Sequence, residues 1–425
     1  MTYCFDIDGT LCTNTEGAYQ EARPLPDAIA RVNRLYEAGH TILLYTGRGS
    51  GTGMDWRTLT QEQLRQWGVR YHKLYFGKPP ADVYIDDKAT AASEWHGEEG
   101  RLVWHNGRLI PEAQARVSIY DSALMFGDMV FEMTRSFRGM QFKLREHLDR
   151  LYASLAHVRI SLTMTKEAME QAVYETIEAN QPAFQEDDEH RVMINVSRGA
   201  LSIYEDVAGA PSGPQVMIAD FPLRWTVAGM GHLFDVGING VIPSQRAIPS
   251  ALLEATVKHR SRLHFMRANI EVSQSPGKNN WAILLDPDGF LAEGTGDNVF
   301  LVKRKVLLTP EGRNILCGIS RAYVLEELAP QLGLTARTCN LGFDDLMKAD
   351  EIFLTATPFC MLPVTSVHQQ RIGDGAMGPI TRMLLSRWSQ NVGIDIVEQI
   401  KAWDRVRPVR RSAAPSPYVF GQAAR

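Results

Sequence analysis

Two sets of residues in this 425-residue chain have the types and spacing that chemistry needs. The first is acidic and N-terminal: Asp6 and Asp8 stand at i and i+2 behind a short apolar run and are followed by Gly9-Thr10. Alternate residues of a strand share a face, so both carboxylates are expected on one side of the strand's end. There one can attack an electrophile while its neighbour moves protons. Thr46, Lys78 and the pair Asp86-Asp87 follow, each expected at the end of a later strand. Carboxylates combined with water and a phosphate oxygen are the ligands Mg²⁺ prefers, and Lys78 would balance the charge of a phosphoryl group. Taken alone, strand-end acids more often cap helices or sit solvated in turns.

The second set is spread over the rest of the chain. Lys258 lies in Val257-Lys-His-Arg-Ser-Arg-Leu263, at the expected start of a helix, where Arg260 and Arg262 favour loss of its proton. Glu293 ends a predicted hairpin strand, and Cys317-Gly-Ile-Ser-Arg321 opens a predicted helix whose backbone N–H groups suit a phosphate. A lysine to condense with an aldehyde, an acid for a ring nitrogen and donors for a phosphate are what pyridoxal 5′-phosphate (PLP) asks of a protein. Singly, each has a bland reading: a surface lysine, a hairpin-end carboxylate, a helix start.

The elements that must position these groups fall into two regions. Residues 3–9 and 41–47 read as short strands, with Ile29, Val32, Leu35 and Tyr36 at helical spacing between them behind Pro24 and Pro26. Strands at 71–76 and 82–86 continue that rhythm, which implies a doubly wound parallel sheet with ligands at the strands' carboxyl ends. The polar stretch Glu98-Glu99-Gly100-Arg101 marks a boundary, giving domains of 1–98 and 99–404. Beyond it strands are expected at 102–110, 129–137, 189–198, 214–221 and 233–242, helices at 145–157 and 166–179, and a hairpin at 281–302 around Pro287-Asp288-Gly289. Residues 405–425, rich in Arg, Pro and Ala, read as a disordered basic tail.

A net charge of -4 with 44% hydrophobic residues gives no electrostatic reason for a nucleic-acid or membrane partner. Neither a signal peptide nor an apolar run of membrane-spanning length is present in the sequence, so the expectation is a cytoplasmic protein acting on small molecules. Five scattered cysteines without a CxxC pair suggest reduced thiols.

Over residues 1–98, the succession Asp6-Ile-Asp8-Gly-Thr10, Thr46-Gly-Arg48, Gly-Lys78-Pro and Asp86-Asp87 resembles the haloacid dehalogenase superfamily, in particular its capsule or lipopolysaccharide biosynthesis phosphatases. The resemblance implies a small Rossmann-like α/β domain hydrolysing a phosphorylated small molecule. Asp6 would be the nucleophile, Asp8 the acid/base, Thr46 and Lys78 the phosphoryl-binding groups, and Asp6, Asp8, Asp86 and Asp87 the residues around Mg²⁺.

Residues 101–400 resemble the class IV aminotransferases. The likeness is carried by Trp104-His-Asn-Gly, Asp121-Ser-Ala-Leu-Met-Phe-Gly-Asp-Met-Val-Phe-Glu132, Arg145-Glu-His-Leu-Asp-Arg150, Lys258, Glu293-Gly-Thr-Gly-Asp-Asn-Val-Phe, Gly318-Ile-Ser-Arg321 and Asp350-Glu-Ile-Phe-Leu-Thr-Ala-Thr357. It implies an α+β fold-type IV enzyme with subdomains 99–225 and 226–404, forming a homodimer and transferring an amino group from a branched-chain-like or D-amino acid to a 2-oxo acid. Lys258 would be the Schiff-base lysine and proton shuttle, and Glu293 would face the pyridine nitrogen. Arg150, the amides of Ile319 and Ser320, and Thr357 would hold the phosphate, while Phe131 and Ala356 would border the substrate. A lyase resembling aminodeoxychorismate lyase, or an (R)-amine transaminase, beside a non-catalytic N-terminal module, is the alternative.

Four positions depart from the family's pattern. Met193 and Asn195 stand where branched-chain members place a tyrosine and a carboxylate-binding arginine, Ile203 where D-amino-acid members place theirs, and Leu263 where a tyrosine meets the cofactor's ring hydroxyl. Arg135, Arg191, Arg198, Arg224 and Arg246 are the candidates for a replacement cation.

Overall fold

The computed structural model describes residues 1–81, 100–204, 206–207 and 209–407, which fall into two compact units, Met1–Gly100 and Arg101–Arg425. The expected strand at 82–86, with Asp86 and Asp87, lies outside the described residues, as does the chain beyond Arg407.

In the first unit the described strands β1 (Thr2–Phe5), β2 (Thr41–Thr46) and β3 (Lys73–Phe76) form a parallel sheet in that order. Helix α1 (Pro26–Glu37) joins β1 to β2 and α2 (Arg57–Gln66) joins β2 to β3. Pro26 opens α1, where a missing N–H costs nothing. Ile29 and Val32 of α1 pack with Ile42 and Leu44 of β2 and Leu64 of α2 in one apolar core. Strand β1 stops at Phe5, four residues short of the expected end. Residues 7–12 instead form a turn in which Leu11 and Cys12 both donate to the Ile7 carbonyl.

The second unit holds two larger sheets. The first, among the described residues, is antiparallel in the order β5-β4-β10-β9-β6: β4 is Leu102–His105, β5 Arg108–Pro111, β6 Met129–Met133, β9 His190–Ser197 and β10 Gln215–Pro222. A small hairpin of β7 (Ser136–Phe137) and β8 (Met140–Gln141) follows β6, and the five-residue helix α3 (Ser122–Phe126) precedes it. Helices α4 (Leu144–His157) and α5 (Lys166–Asn180) cover this sheet, burying Leu148, Leu151 and Leu155 against Val192, Ile194 and Ile218. The spacing of the leucines set that face in advance.

The second sheet is mixed and runs β13-β12-β11-β18-β17-β14-β15-β16, with β19 (Gln370–Arg371) beside β18. Its strands are β11 (Ile238–Val241), β12 (Asn280–Leu285), β13 (Leu291–Gly294), β14 (Asn298–Lys303), β15 (Val306–Pro310), β16 (Ala336–Cys339), β17 (Glu351–Ala356) and β18 (Cys360–Val367). Nearly continuous burial along β14, β17 and β18 shows a sheet covered on both faces. Helices α6 (Leu263–Ser273), α7 (Ile319–Tyr323), α8 (Pro379–Val392) and α9 (Ile396–Val406) complete the unit, with Trp388 and Trp403 in the core.

Three expectations are corrected here. Residues 233–236 are a helical turn, and only Ile238–Val241 of the expected strand 233–242 is extended. Residues 405 and 406, expected in a tail, belong to α9, held by the buried Ile396, Ile400 and Trp403. Lys258 does not open a helix; α6 starts five residues later. Among the described residues no helix is long and apolar enough to cross a membrane, and the cysteines are free thiols.

Candidate active site

Lys258 sits in an extended segment laid along β6. Phe131 donates its N–H to the Lys258 carbonyl at 2.9 Å, and Arg260 donates its own to the Met129 carbonyl at 2.9 Å. An extended backbone alternates its side chains. Lys258, Arg260 and Arg262 accordingly all reach the wall of one cavity of about 250 Å³. Among the described residues the lysine pairs with no carboxylate, and burial together with the nearby Arg150 lowers its pKa to about 7. A substantial fraction of the amine is therefore uncharged at neutral pH.

Arg150 projects from the second turn of α4 and is fixed by Glu132 of β6. Its Nε and Nη2 donate to the two carboxylate oxygens at 2.7 and 2.9 Å, and the Nδ1 of His147 lies 2.7 Å from the same carboxylate. Burial opposes ionisation of Glu132, yet Arg150 and His147 outweigh it and hold the carboxyl well below its usual range. The remaining fork of Arg150 donates to the Cys317 carbonyl at 2.9 Å, which ties it to the start of α7. That start approaches β14 closely, since a Cβ at Gly318 would lie 2.1 Å from the Asn298 Oδ1.

Glu293, on β13, is 9% exposed and accepts the Leu316 N–H at 3.0 Å and the Asn298 amide at 3.3 Å. Burial nevertheless pushes it up to about 8, so at neutral pH it carries a proton. Asp297 behaves alike: burial raises it to about 7, although Trp281 donates to its Oδ2 at 2.9 Å, and its Oδ1 is buried with no hydrogen-bond partner.

Arg150, Lys258, Glu293, Ile319, Ser320, Ala356 and Thr357 line a single pocket, and Phe131 joins Lys258, Ala356 and Thr357 around the adjoining 250 Å³ cavity. Every residue expected around the lysine is thus brought together there. Arg262 and Asp297 belong to the same walls, and Glu132 stands behind Arg150; none was foreseen as a site residue. The available signal was the alternation Lys-x-Arg-x-Arg, which an extended rather than helical reading would have placed on one face.

Of the candidate replacement cations only Arg191 reaches the larger cavity. Arg135 is buried and donates to the Ser136 and Pro358 carbonyls, Arg198 pairs with Asp128, Arg224 pairs with Asp187 and Asp188, and Arg246 is exposed. Leu263, at the tyrosine's place, is 74% exposed, and Ile203 is likewise at the surface.

The first unit arranges its acids differently. Lys78 Nζ lies 2.6 Å from the Asp6 Oδ2, and the Lys78 N–H donates to the Thr46 carbonyl at 3.1 Å, so Asp6, Thr46 and Lys78 come together at the strand ends. Asp8 meets a different cation from Asp6. Because β1 has already ended, the alternation rule does not reach it, and both its oxygens take the buried guanidinium of Arg48 at 2.8 and 2.7 Å. Arg48 is held further by Gln63 at 2.6 Å and Thr60 at 3.2 Å. Among the described residues no three His, Cys, Asp or Glu side chains converge as a metal site would require.

This fold is similar to that of a solved aminotransferase. The Escherichia coli branched-chain amino acid aminotransferase superimposes with a TM-score of 0.61 at 27% identity, covering 68% of this chain and 94% of that one. Residues 129–367 match the family model for class IV amino-transferases, and the chain belongs to that family. A Methanocaldococcus jannaschii protein provisionally named a branched-chain-amino-acid aminotransferase is 34% identical over 287 residues, 67% of this chain and 94% of its own length. The D-alanine aminotransferase of Bacillus licheniformis is 31% identical over 282 residues, 66% of this chain and 93% of its own length.

Proposed function

We propose that the second unit is a PLP-dependent aminotransferase acting on an α-amino acid and a 2-oxo acid. The observation that carries this reading is the buried, charge-depleted Lys258 in one pocket with Glu293 and Arg150. The residues fit the cofactor. Arg150 and the start of α7 offer donors to a phosphate, Thr357 stands beside them, and the Thr355 Oγ1 is buried in the same wall without a partner. PLP, when bound, would supply the electron sink that lets a Cα–H bond break. Lys258 would hold it covalently and then, as a free amine, carry the proton to and from Cα. Glu293, which already carries a proton, would share it with the ring nitrogen. Glu132 would keep the Arg150 fork aimed at the phosphate.

Matches to both a D-alanine and branched-chain aminotransferases support amino-acid transamination without choosing its stereochemistry. Purified protein supplied with PLP should develop a visible absorbance band that bleaches on adding an amino acid and returns on adding a 2-oxo acid. A protein that takes up no PLP would exclude the reading. We also propose a homodimer, supported by the exposed Ile119, Leu124 and Phe126 around α3, and light scattering at twice the chain mass is its check.

For the first unit we propose Mg²⁺-dependent phosphate ester hydrolysis with Asp6 as nucleophile. Support comes from the meeting of Asp6, Thr46 and Lys78 at the carboxyl ends of parallel strands. Hydrolysis of a general phosphate ester that requires Mg²⁺ and disappears in Asp6→Asn is the expected result; no hydrolysis across a broad panel rejects it.

A further inference from the structure

We propose that Arg135 is a positioning residue that fixes the turn walling the substrate cavity, a role that rests on the aminotransferase reading of that cavity. Thr357, Pro358 and Phe359 join β17 to β18, and with Ala356 they line the cavity of about 250 Å³. Ala356 and Thr357 also line the pocket shared by Lys258, Arg150 and Glu293. The lie of this one turn therefore sets where the wall stands relative to the lysine.

The turn's backbone needs a restraint from outside. Cys360 has a φ of 63°, in the left-handed region that a side chain disfavours, and the Met361 N–H folds back onto the Phe359 carbonyl at 2.7 Å. Such a conformation persists where its surroundings over-determine it. Arg135 stands behind the turn and supplies that restraint. Its Nη1 donates to the Pro358 carbonyl at 3.1 Å and to the Cys360 sulfur at 3.6 Å, so one nitrogen grips the chain on both sides of Phe359. The guanidinium is itself held on its other sides. It is buried, lies over the Phe137 ring 3.8 Å from the centroid, and donates from Nε to the Ser136 carbonyl at 3.1 Å. Its Nη2 donates to the Gln399 Oε1 at 3.1 Å. The wall is thus referenced to β7, which carries Ser136 and Phe137, and to α9, which carries Gln399.

The test uses the full-length, PLP-loaded protein in steady-state transamination. Arg135→Met keeps the bulk and removes the fork. With PLP at saturation its visible band should form as in the parent, because Lys258, Glu293 and Arg150 sit on other segments. KM for the amino acid should rise roughly 10-fold while kcat falls less than about threefold, as a displaced binding wall requires. Arg135→Lys, which keeps a donor for the Pro358 carbonyl, should recover part of that loss. Gln399→Leu leaves the arginine and loosens one arm, so KM should move the same way by about two- to threefold, which guards against a methionine variant that does not fold. Parent-like KM in a folded Arg135→Met overturns the assignment, as does parent-like KM in Gln399→Leu where the methionine variant fails to fold. Loss of the band that Arg135→Lys does not repair marks a purely structural residue and overturns it too. Failure of the aminotransferase reading is separately visible, because the loaded parent would then show no bleaching with any amine.

Discussion

The two units treat their reactive groups in opposite ways. Around Lys258 three ionisable side chains are enclosed without full compensation among the described residues: a lysine with no carboxylate partner, and Glu293 and Asp297 pushed toward neutrality, with one Asp297 oxygen unbonded. Around Asp6 and Asp8 each carboxylate already meets a cation, Lys78 or the bidentate Arg48. Uncompensated burial costs stability and is tolerated where a ligand completes the site. Paired charges at a strand end are stable by themselves. The first arrangement tunes protonation; the second holds charges of opposite sign in pairs.

The contrast is broken most directly by Lys258→Ala, which should lower transamination at least ~10³-fold and abolish the visible band, read by stopped-flow absorbance. A variant retaining both would remove Lys258 from the chemistry. In the first unit, Arg48→Ala leaves Asp8 unpaired beside a buried cavity and should destabilise that unit by about 3 kcal/mol, measured as a shift in denaturant midpoint. A shift near zero would show the pair to be solvated and the contrast overdrawn.

Protonation sharpens the comparison further. Because Lys258 is depressed from 10.5 to about 7, the rate of PLP capture should fall about tenfold for each pH unit below 7 and level off above 8. A profile still rising at pH 9 would mean an ordinary lysine. Glu293 is raised from 4.5 to about 8, so its folded state binds a proton more tightly than the unfolded chain does. The stability it contributes is present in full below 4.5 and lost as pH rises through 8. Cofactor-free Glu293→Gln escapes that loss. Its melting temperature should exceed the parent's by a few degrees at pH 9 and match it near pH 5, as a difference scan would show.

Motifs and periodicity determined much of this protein by themselves. The leucines of α4, the prolines before α1 and the turn residues of the β12–β13 hairpin act locally, so their consequences are legible one segment at a time. The residues grouped around Lys258 were likewise legible, because their types suit one cofactor. Tertiary structure alone decided what depends on the path of the backbone between them. Whether Lys258 opens a helix or runs beside β6 turns on two hydrogen bonds to Met129 and Phe131, more than a hundred residues away in sequence. That choice sends Arg260 and Arg262 into the cavity. The early end of β1, set by the turn around Ile7, likewise carried Asp8 to Arg48. Spacing along a chain fixes which side chains share a face only once the local conformation is known, and long-range contacts set that conformation here.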